Sequence, residues 1–559
     1  MRTRPHKLAL LLSLALCHPV TAKTAKRVLL LGQKPDGHPP GTHEYLRGLR
    51  VIAKTLQGAP GLDVSTVSAD EPWKGGPELI DGSDAVVIFL SEGARWLSAD
   101  PARLAAMRRL AARGGGFVGI HWGIGTRDAK NIAGFLELVG ACHGGPDRRY
   151  KVVETTLEVS EHPITTGVRD LALREELYYR LKFAKPLGSV TPILTAEIEG
   201  VREVVSWAWT RPDGGRSFGY SGAHFHESWK HPEYRRLIAQ GVLWTLDRPI
   251  PPGGIATDIA KRDLRPLPEN PIFLDERRRP GRGAVTRERS HPTQIDPSRT
   301  AVVVCDMWTK HWCAGATRRC EELAPRIDAL ARKLRERGVL IVHCPSRGPG
   351  GEFAYETWPQ HRIARDAPRT EIVVVPREPP EGWKNLFGPG WCGANALREA
   401  ALPLDASDNG CDCPAKCSNG PGKMDCRQSP VIQIARGDAV AAGVEAIHLL
   451  RQRGIETVLI AGVHLNLCMM GRPFGIRNLV YQDFRVLLVR DLTDTLYNPR
   501  MPPMVSHHRG TALMVEHVET YWCGSITSDQ ILGGEPFRLS DEGGQQAVGS
   551  CDGVGHPVR

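Results

Sequence analysis

Two kinds of apolar pattern alternate along the chain. Short unbroken runs occur at Lys26–Gly32 (KRVLLLG), Ala85–Leu90 (AVVIFL), Thr300–Cys305 (TAVVVC), Val339–His343 (VLIVH) and Val458–Ala461 (VLIA). None shows the polar alternation of a half-solvated strand, so each reads as a strand buried on both faces of a parallel sheet. Between these runs, Tyr45–Leu56, Pro101–Arg113, Cys320–Arg337 and Gly443–Arg453 carry helical spacing. Gly114–Gly125 (GGGFVGIHWGIG) is a Gly-flanked strand ending in His121. Around Cys468 the chain spells strand, turn, a helix over Met469–Leu479 and a second strand over Arg485–Val489. A short strand is expected at Ile372–Val375, ahead of an irregular insert from Leu386 to Gln428. Strands alternating with helices predict an α/β fold built from doubly wound parallel sheets in three layers.

The 559 residues exceed what one core organises, and two domains are expected. Periodicity lapses over 250–297, where RPIPPGG, RPLPENP and DERRRPGRG suggest a linker. The division expected is a signal peptide over 1–22, domains over 23–249 and 298–535, and a tail over 536–559. The signal peptide is read from basic residues preceding the apolar run Leu8–Leu16, with Val20-Thr21-Ala22 before the cut. It implies export to the periplasm or beyond. The run is too short to span a bilayer, so no stable membrane insertion is expected.

Composition adds little that is specific. Charged residues make up 24% and hydrophobic ones 41%, ordinary for a soluble globular protein. The net charge of +10 is scattered over helices and the 250–297 stretch, which argues against a nucleic-acid partner. A small-molecule substrate is expected instead, and a homo-oligomer is compatible with sheets of this type.

Candidate chemistry lies at strand ends. His121 stands at a strand-to-helix turn, where open α/β sheets hold ligands. His38, His43, Glu176, Tyr178, His224 and Glu227 are candidates to join it in a pocket for a sugar-type or other small polar ligand. In the second half, Asp306 is the first residue past one strand, and Cys468 follows another. A thiol there, beside a helix start, is expected to have a lowered pKa. Asp306 can relay a proton to or from it during attack on an amide, imine or ester-like carbon.

The motifs VLLLG, GFVGIHWG, HPIT, EELYY and GAHFHESW make residues 26–248 resemble the ThuA-like family, named from trehalose utilisation. The resemblance implies a class I glutamine-amidotransferase-like fold. The elbow GIHWGIG has no Cys, so thioester hydrolysis of glutamine is not expected there. VVVCDMW, LIVHCPS and TVLIAGVHLNLCMMGRPFGIRN followed by VLLVRDLTD make residues 298–530 resemble the isochorismatase-like cysteine hydrolases. That family carries a catalytic Asp, Lys and Cys and a non-proline cis peptide. Matched residue by residue, the Asp is Asp306, the Cys is Cys468 and the cis bond falls at Val463-His464. No Lys stands at the third position, where Arg436 is the nearest cation. Arginine holds its proton and could support a thiolate but not act as an acid. Three outcomes stay open: a changed mechanism, a lysine from the insert (Lys416 or Lys423), or binding without turnover.

His464, Asn466, Arg472 and His311 are the further substrate-contact candidates, and Arg472 with Arg477 suits an anionic substrate. The alternative for the arginines is pairing with Asp491 or Asp494. Of the 14 cysteines, Cys411, Cys413, Cys417 and Cys426 crowd the insert. Their spacing, C-x-C-x3-C-x8-C, is a loose match to a metal site without paired CxxC knuckles. In an exported chain disulfides are expected instead, metal binding there is the open alternative, and no cofactor and no metal site are assigned. The function expected is a thiol hydrolase acting on a small C–N bond. The alternative is a ligand-binding protein that has lost turnover.

Overall fold

The computed structural model describes residues 25–186, 188–279, 288–373, 398–415, 417 and 424–540. The signal peptide, Lys416, Lys423, most of the expected tail and part of the insert lie outside these residues. Two large sheets organise the rest, in an α/β arrangement.

The unbroken apolar runs occupy the sheet centres, and the reason is visible in where their side chains go. In Thr300–Cys305, Ala301, Val303 and Cys305 face one core, whereas Val302 and Val304 face another. In Lys26–Gly32, Val28 and Leu30 likewise oppose Leu29 and Leu31. A strand covered on both faces has no solvent side on which to place polar residues.

The first sheet runs, in spatial order, Leu62–Ser68, Lys26–Gly32, Ala85–Ile88, Gly116–Ile120 and Arg216–Tyr220, all parallel. It then continues through Val201–Thr210, Val190–Ile198, Arg149–Val159 and Leu171–Tyr179, all antiparallel. This antiparallel extension adds to the expected parallel sheet. Its hairpin turns at Glu199-Gly200, both at positive φ, as the favoured two-residue turns require.

The second sheet centres on Thr300–Cys305, flanked by Thr457–Gly462 and Leu340–Cys344. Ala439–Val440, Arg485–Thr493 and Gly524–Ile526 extend it in parallel. Ile272–Arg278 and Arg289–Ile295 close one side as an antiparallel pair, so the stretch expected as linker contributes two strands. Arginines and Pro292 mask them in the sequence. Pro292 is tolerated because its strand is the outermost, and the inward Glu276 pairs with Arg485 at 2.8 Å. The helix expected from Cys320 begins earlier, at Ala314, and ends at Glu336. The helix expected over Met469–Leu479 is instead two short ones, Cys468–Gly471 and Ile476–Tyr481, interrupted at Arg472-Pro473.

Candidate functional site

Each sheet presents a polar cluster at the carboxyl ends of its parallel strands. His121 and Asp306 stand in equivalent places, as the first residue past Gly116–Ile120 and past Thr300–Cys305, with φ of 48° and 47°. This left-handed conformation costs a non-glycine residue about 1–2 kcal/mol, and it marks both positions as held by their surroundings.

In the second sheet, Asp306 is fully buried, and its Oδ1 accepts a hydrogen bond from Ser346 at 2.6 Å. Arg472 lies 3.4 Å from the same oxygen and also donates to Ser346. The Cys468 thiol hydrogen-bonds with both Asp306 and Arg472. Val463-His464 is a cis peptide, at the position the resemblance indicates. The expected lowering of the thiol pKa is corrected by the structure. Burial pushes Cys468 well above the usual thiol range, and the Asp306 carboxylate adds to the rise. Arg472 opposes both without overcoming them. Burial also raises Asp306, against the pull of Arg472.

The cation beside the thiol is therefore Arg472, four residues past the Cys, and not Arg436, which is exposed. Expected as a contact for an anionic substrate, Arg472 has an anion of its own in Asp306. Arg477 is buried against Glu399 at 2.7 Å, rather than against Asp491 or Asp494. Asn466 has both ends of its amide on the Leu496 backbone at 2.9 Å, so it fastens the Cys loop and is not available as a substrate contact. His311 and His464 pack around Trp308, with ring centroids 4.9 and 5.0 Å from it. Each has a buried Nε2 without a hydrogen-bond partner among the described residues.

In the first sheet, His43, His121, His224 and Glu176 converge, with one ligand-capable atom from each inside a 4.8 Å group. His121 Nε2 lies 3.1 Å from His43 Nε2, 3.3 Å from His224 Nδ1 and 3.9 Å from Glu176 Oε1. Tyr178 Oη is also 3.1 Å from His121 Nε2. The far side of each ring sets its tautomer. His43 Nδ1 faces the Asp36 carboxylate and His121 Nδ1 faces the Ser221 carbonyl, both at 2.9 Å. Both partners only accept, so Nδ1 carries the hydrogen and the two Nε2 lone pairs point at each other. Burial lowers all three histidines, His224 to about 3, which keeps the rings neutral. Neutral imidazoles with converging lone pairs and a carboxylate are what a divalent cation binds, so these four residues could hold a metal ion where the sequence assigned none.

A cavity of about 140 Å³ adjoins the cluster, lined by His38, Trp122, Arg127, His143, Arg148 and Tyr150 among others. Glu176, Tyr178, His38, His43, His121 and His224 thus come together as expected. Glu227 is exposed and pairs with Lys230. Two residues that sequence reasoning missed organise the site. Asp36 holds His43, His38 and Tyr45. The buried Glu175 accepts from the backbone N–H of His224 at 3.2 Å and from Ser228 at 2.7 Å. EELYY offered two adjacent carboxylates, and strand alternation sends the first inward as the anchor and the second toward the histidines.

Comparison with known proteins adds the following. No curated protein matches the chain. A ThuA-like protein from Bacteroides uniformis ATCC 8492 is 14% identical, over 41% of this chain and 95% of that one, with a TM-score of 0.33. A cysteine hydrolase from Pseudomonas syringae pv. phaseolicola 1448A is 15% identical, over 43% and 92%, at 0.26. An isochorismatase from Pseudomonas putida KT2440 is 12% identical, over 42% and 92%, also at 0.26. Residues 29–245, less than half of the chain, match the ThuA family, described as trehalose utilisation, and that region is a ThuA domain.

Proposed function

We propose that the chain is an exported hydrolase of small amide- or imine-type substrates, working through Cys468 in an isochorismatase-like half fused to the ThuA domain. The observation that carries this reading is the meeting of Cys468 and Arg472, past Thr457–Gly462, with Asp306, past Thr300–Cys305, at the carboxyl ends of two neighbouring strands of one sheet. The thiol is neutral at rest. Its proton passes to Asp306 as sulfur bonds to the substrate carbon, and Asp306 returns that proton to the departing amine. With an amide, water then cleaves the thioester, releasing the acid and restoring the thiol. With an imine, water displaces sulfur from the adduct, leaving the carbonyl compound and the amine and restoring the thiol. Arg472 stays charged throughout and offsets the negative charge shared by sulfur and carboxylate. It takes over the electrostatic part of the family lysine's role and none of its proton transfer.

The test is hydrolysis of a panel of small amides and imines by the wild type and Cys468→Ala, with intact-mass detection of an acyl adduct. Turnover and adduct should both vanish in the variant. Turnover that survives Cys468→Ala would overturn the reading.

A second reading is favoured by the converging lone pairs of the ThuA domain. His43, His121, His224 and Glu176 hold a divalent cation, and the adjoining cavity takes a small hydroxylated or anionic ligand beside Arg127 and Arg148. A cation there would supply a Lewis acid for a bound oxygen. Metal analysis and a thermal shift on adding Zn²⁺ or Mn²⁺ test it. His121→Ala should remove about one equivalent of metal per chain and abolish the shift. Unchanged metal content in that variant would sink the assignment.

A further inference from the structure

No disulfide joins the described cysteines, whose thiols are free. They are not scattered. Cys313, just ahead of helix Ala314–Glu336, meets Cys411 and Cys413 of the insert, with one sulfur from each inside a 4.8 Å group. Cys417 hydrogen-bonds with the side chains of both Cys411 and Cys413, and Cys411 does so with Cys313. Cys426 stands apart, packed in the opposite core of the sheet.

Distance separates the two chemistries open to such a group. Cys313 Sγ and Cys413 Sγ are 3.7 Å apart, far beyond the roughly 2.05 Å of a disulfide. Four sulfurs around a tetrahedral zinc at about 2.3 Å are separated by about 3.8 Å along each edge. Backbone N–H groups also converge on the sulfurs. Gly315 donates to Cys413 at 3.4 Å, Ala314 to Cys417, Ala316 to Cys313, and both Cys413 and Cys417 to Cys411. N–H groups turned toward sulfur are the second shell that metal-bound sulfur commonly has, and Cys313, Cys411 and Cys413, with Cys417 beside Cys411 and Cys413, are spaced to share one cation.

We propose that Cys313, Cys411, Cys413 and Cys417 form a tetrahedral thiolate site for a soft divalent cation of the zinc type. Its role is structural, because four protein ligands leave no open position for a substrate. The site pins the insert to the start of helix Ala314–Glu336. Asp412, between two of the ligands, is thereby set against Arg319 at 2.6 Å. Arg319 in turn holds Asp494 at 2.7 Å, and the Asp494 carbonyl accepts from Leu465 in the Cys468 loop at 2.7 Å. The metal thus braces the loop that carries Cys468 from outside the reacting groups.

The experiment uses the full chain purified without reductant. Cobalt substitution should give the intense near-ultraviolet absorption of thiolate-to-cobalt charge transfer, a signature that a histidine–carboxylate site does not produce. Cys411→Ser/Cys413→Ser should lose that band together with about one equivalent of metal, while His121→Ala keeps it. In the wild type, the four thiols should resist iodoacetamide until a chelator is added, which tests the site even if the double variant does not fold. A disulfide between any two of the four in the non-reduced peptide map would overturn the proposal. So would four thiols that label at once without chelator.

Discussion

Asp306→Asn should lower turnover at Cys468 by about 10²–10⁴-fold, the usual worth of a positioned proton acceptor, and should also lower the pH at which the thiol is half-labelled by iodoacetamide. The two readouts separate because Asp306 acts on the thiol in opposite senses. As a base it takes the proton during attack. As a fixed negative charge beside the buried sulfur, it adds to the rise that burial imposes. Asparagine keeps the size and removes both charge and basicity. Arg472→Met should move the labelling midpoint the other way, because the guanidinium is what pulls Cys468 down. In the wild type, turnover should fall on the acid side at a pH above the roughly 3.9 of an ordinary aspartate, since burial raises Asp306. Turnover unchanged in Asp306→Asn would remove the carboxylate from the mechanism. A labelling midpoint that rises would show that the charge is not felt by the thiol.

Arg319→Met should cost about 3–5 kcal/mol of unfolding free energy, read as a lowered urea midpoint at unchanged slope. Arg319 is buried between Asp494 and Asp412, and His507 lies 2.8 Å from the other oxygen of Asp494. The loss is large because the substitution leaves buried carboxylates facing no guanidinium, whatever the net worth of the intact pair. The same network makes a pH statement. His507 and Arg319 hold the Asp494 carboxyl well below the usual carboxylate range, against burial. A carboxylate lowered in the folded state adds stability above its unfolded pKa of about 3.9, and that stability is lost as pH falls below it. The acid limb of stability should therefore be shallower in Arg319→Met. A change below about 1 kcal/mol would mean that the buried pairs do not act as described.

Much of the architecture was legible because parallel strands are local objects. Thr300–Cys305 and Tyr45–Leu56 occupy the ranges their apolar spacing marks, and the elbow residues His121, Asp306 and Cys468 follow from where those runs stop. The outermost strand of the second sheet and its neighbour were not legible. Ile272–Arg278 and Arg289–Ile295 carry charge and proline that a central strand would exclude, and only their partners make them strands. The partners of the site residues were hidden for a related reason. Local pattern decided which side chains leave a strand end, whereas chain folding decided what they meet. Arg472 replaces the expected Arg436 because the chain turns at Arg472-Pro473 and brings the guanidinium back over Asp306. Cys313 joins Cys413 across 100 residues, so no spacing within CDCPAKC could reveal it. The direction of the Cys468 pKa depended on burial and on one carboxylate from another strand, and both are properties of the assembled core.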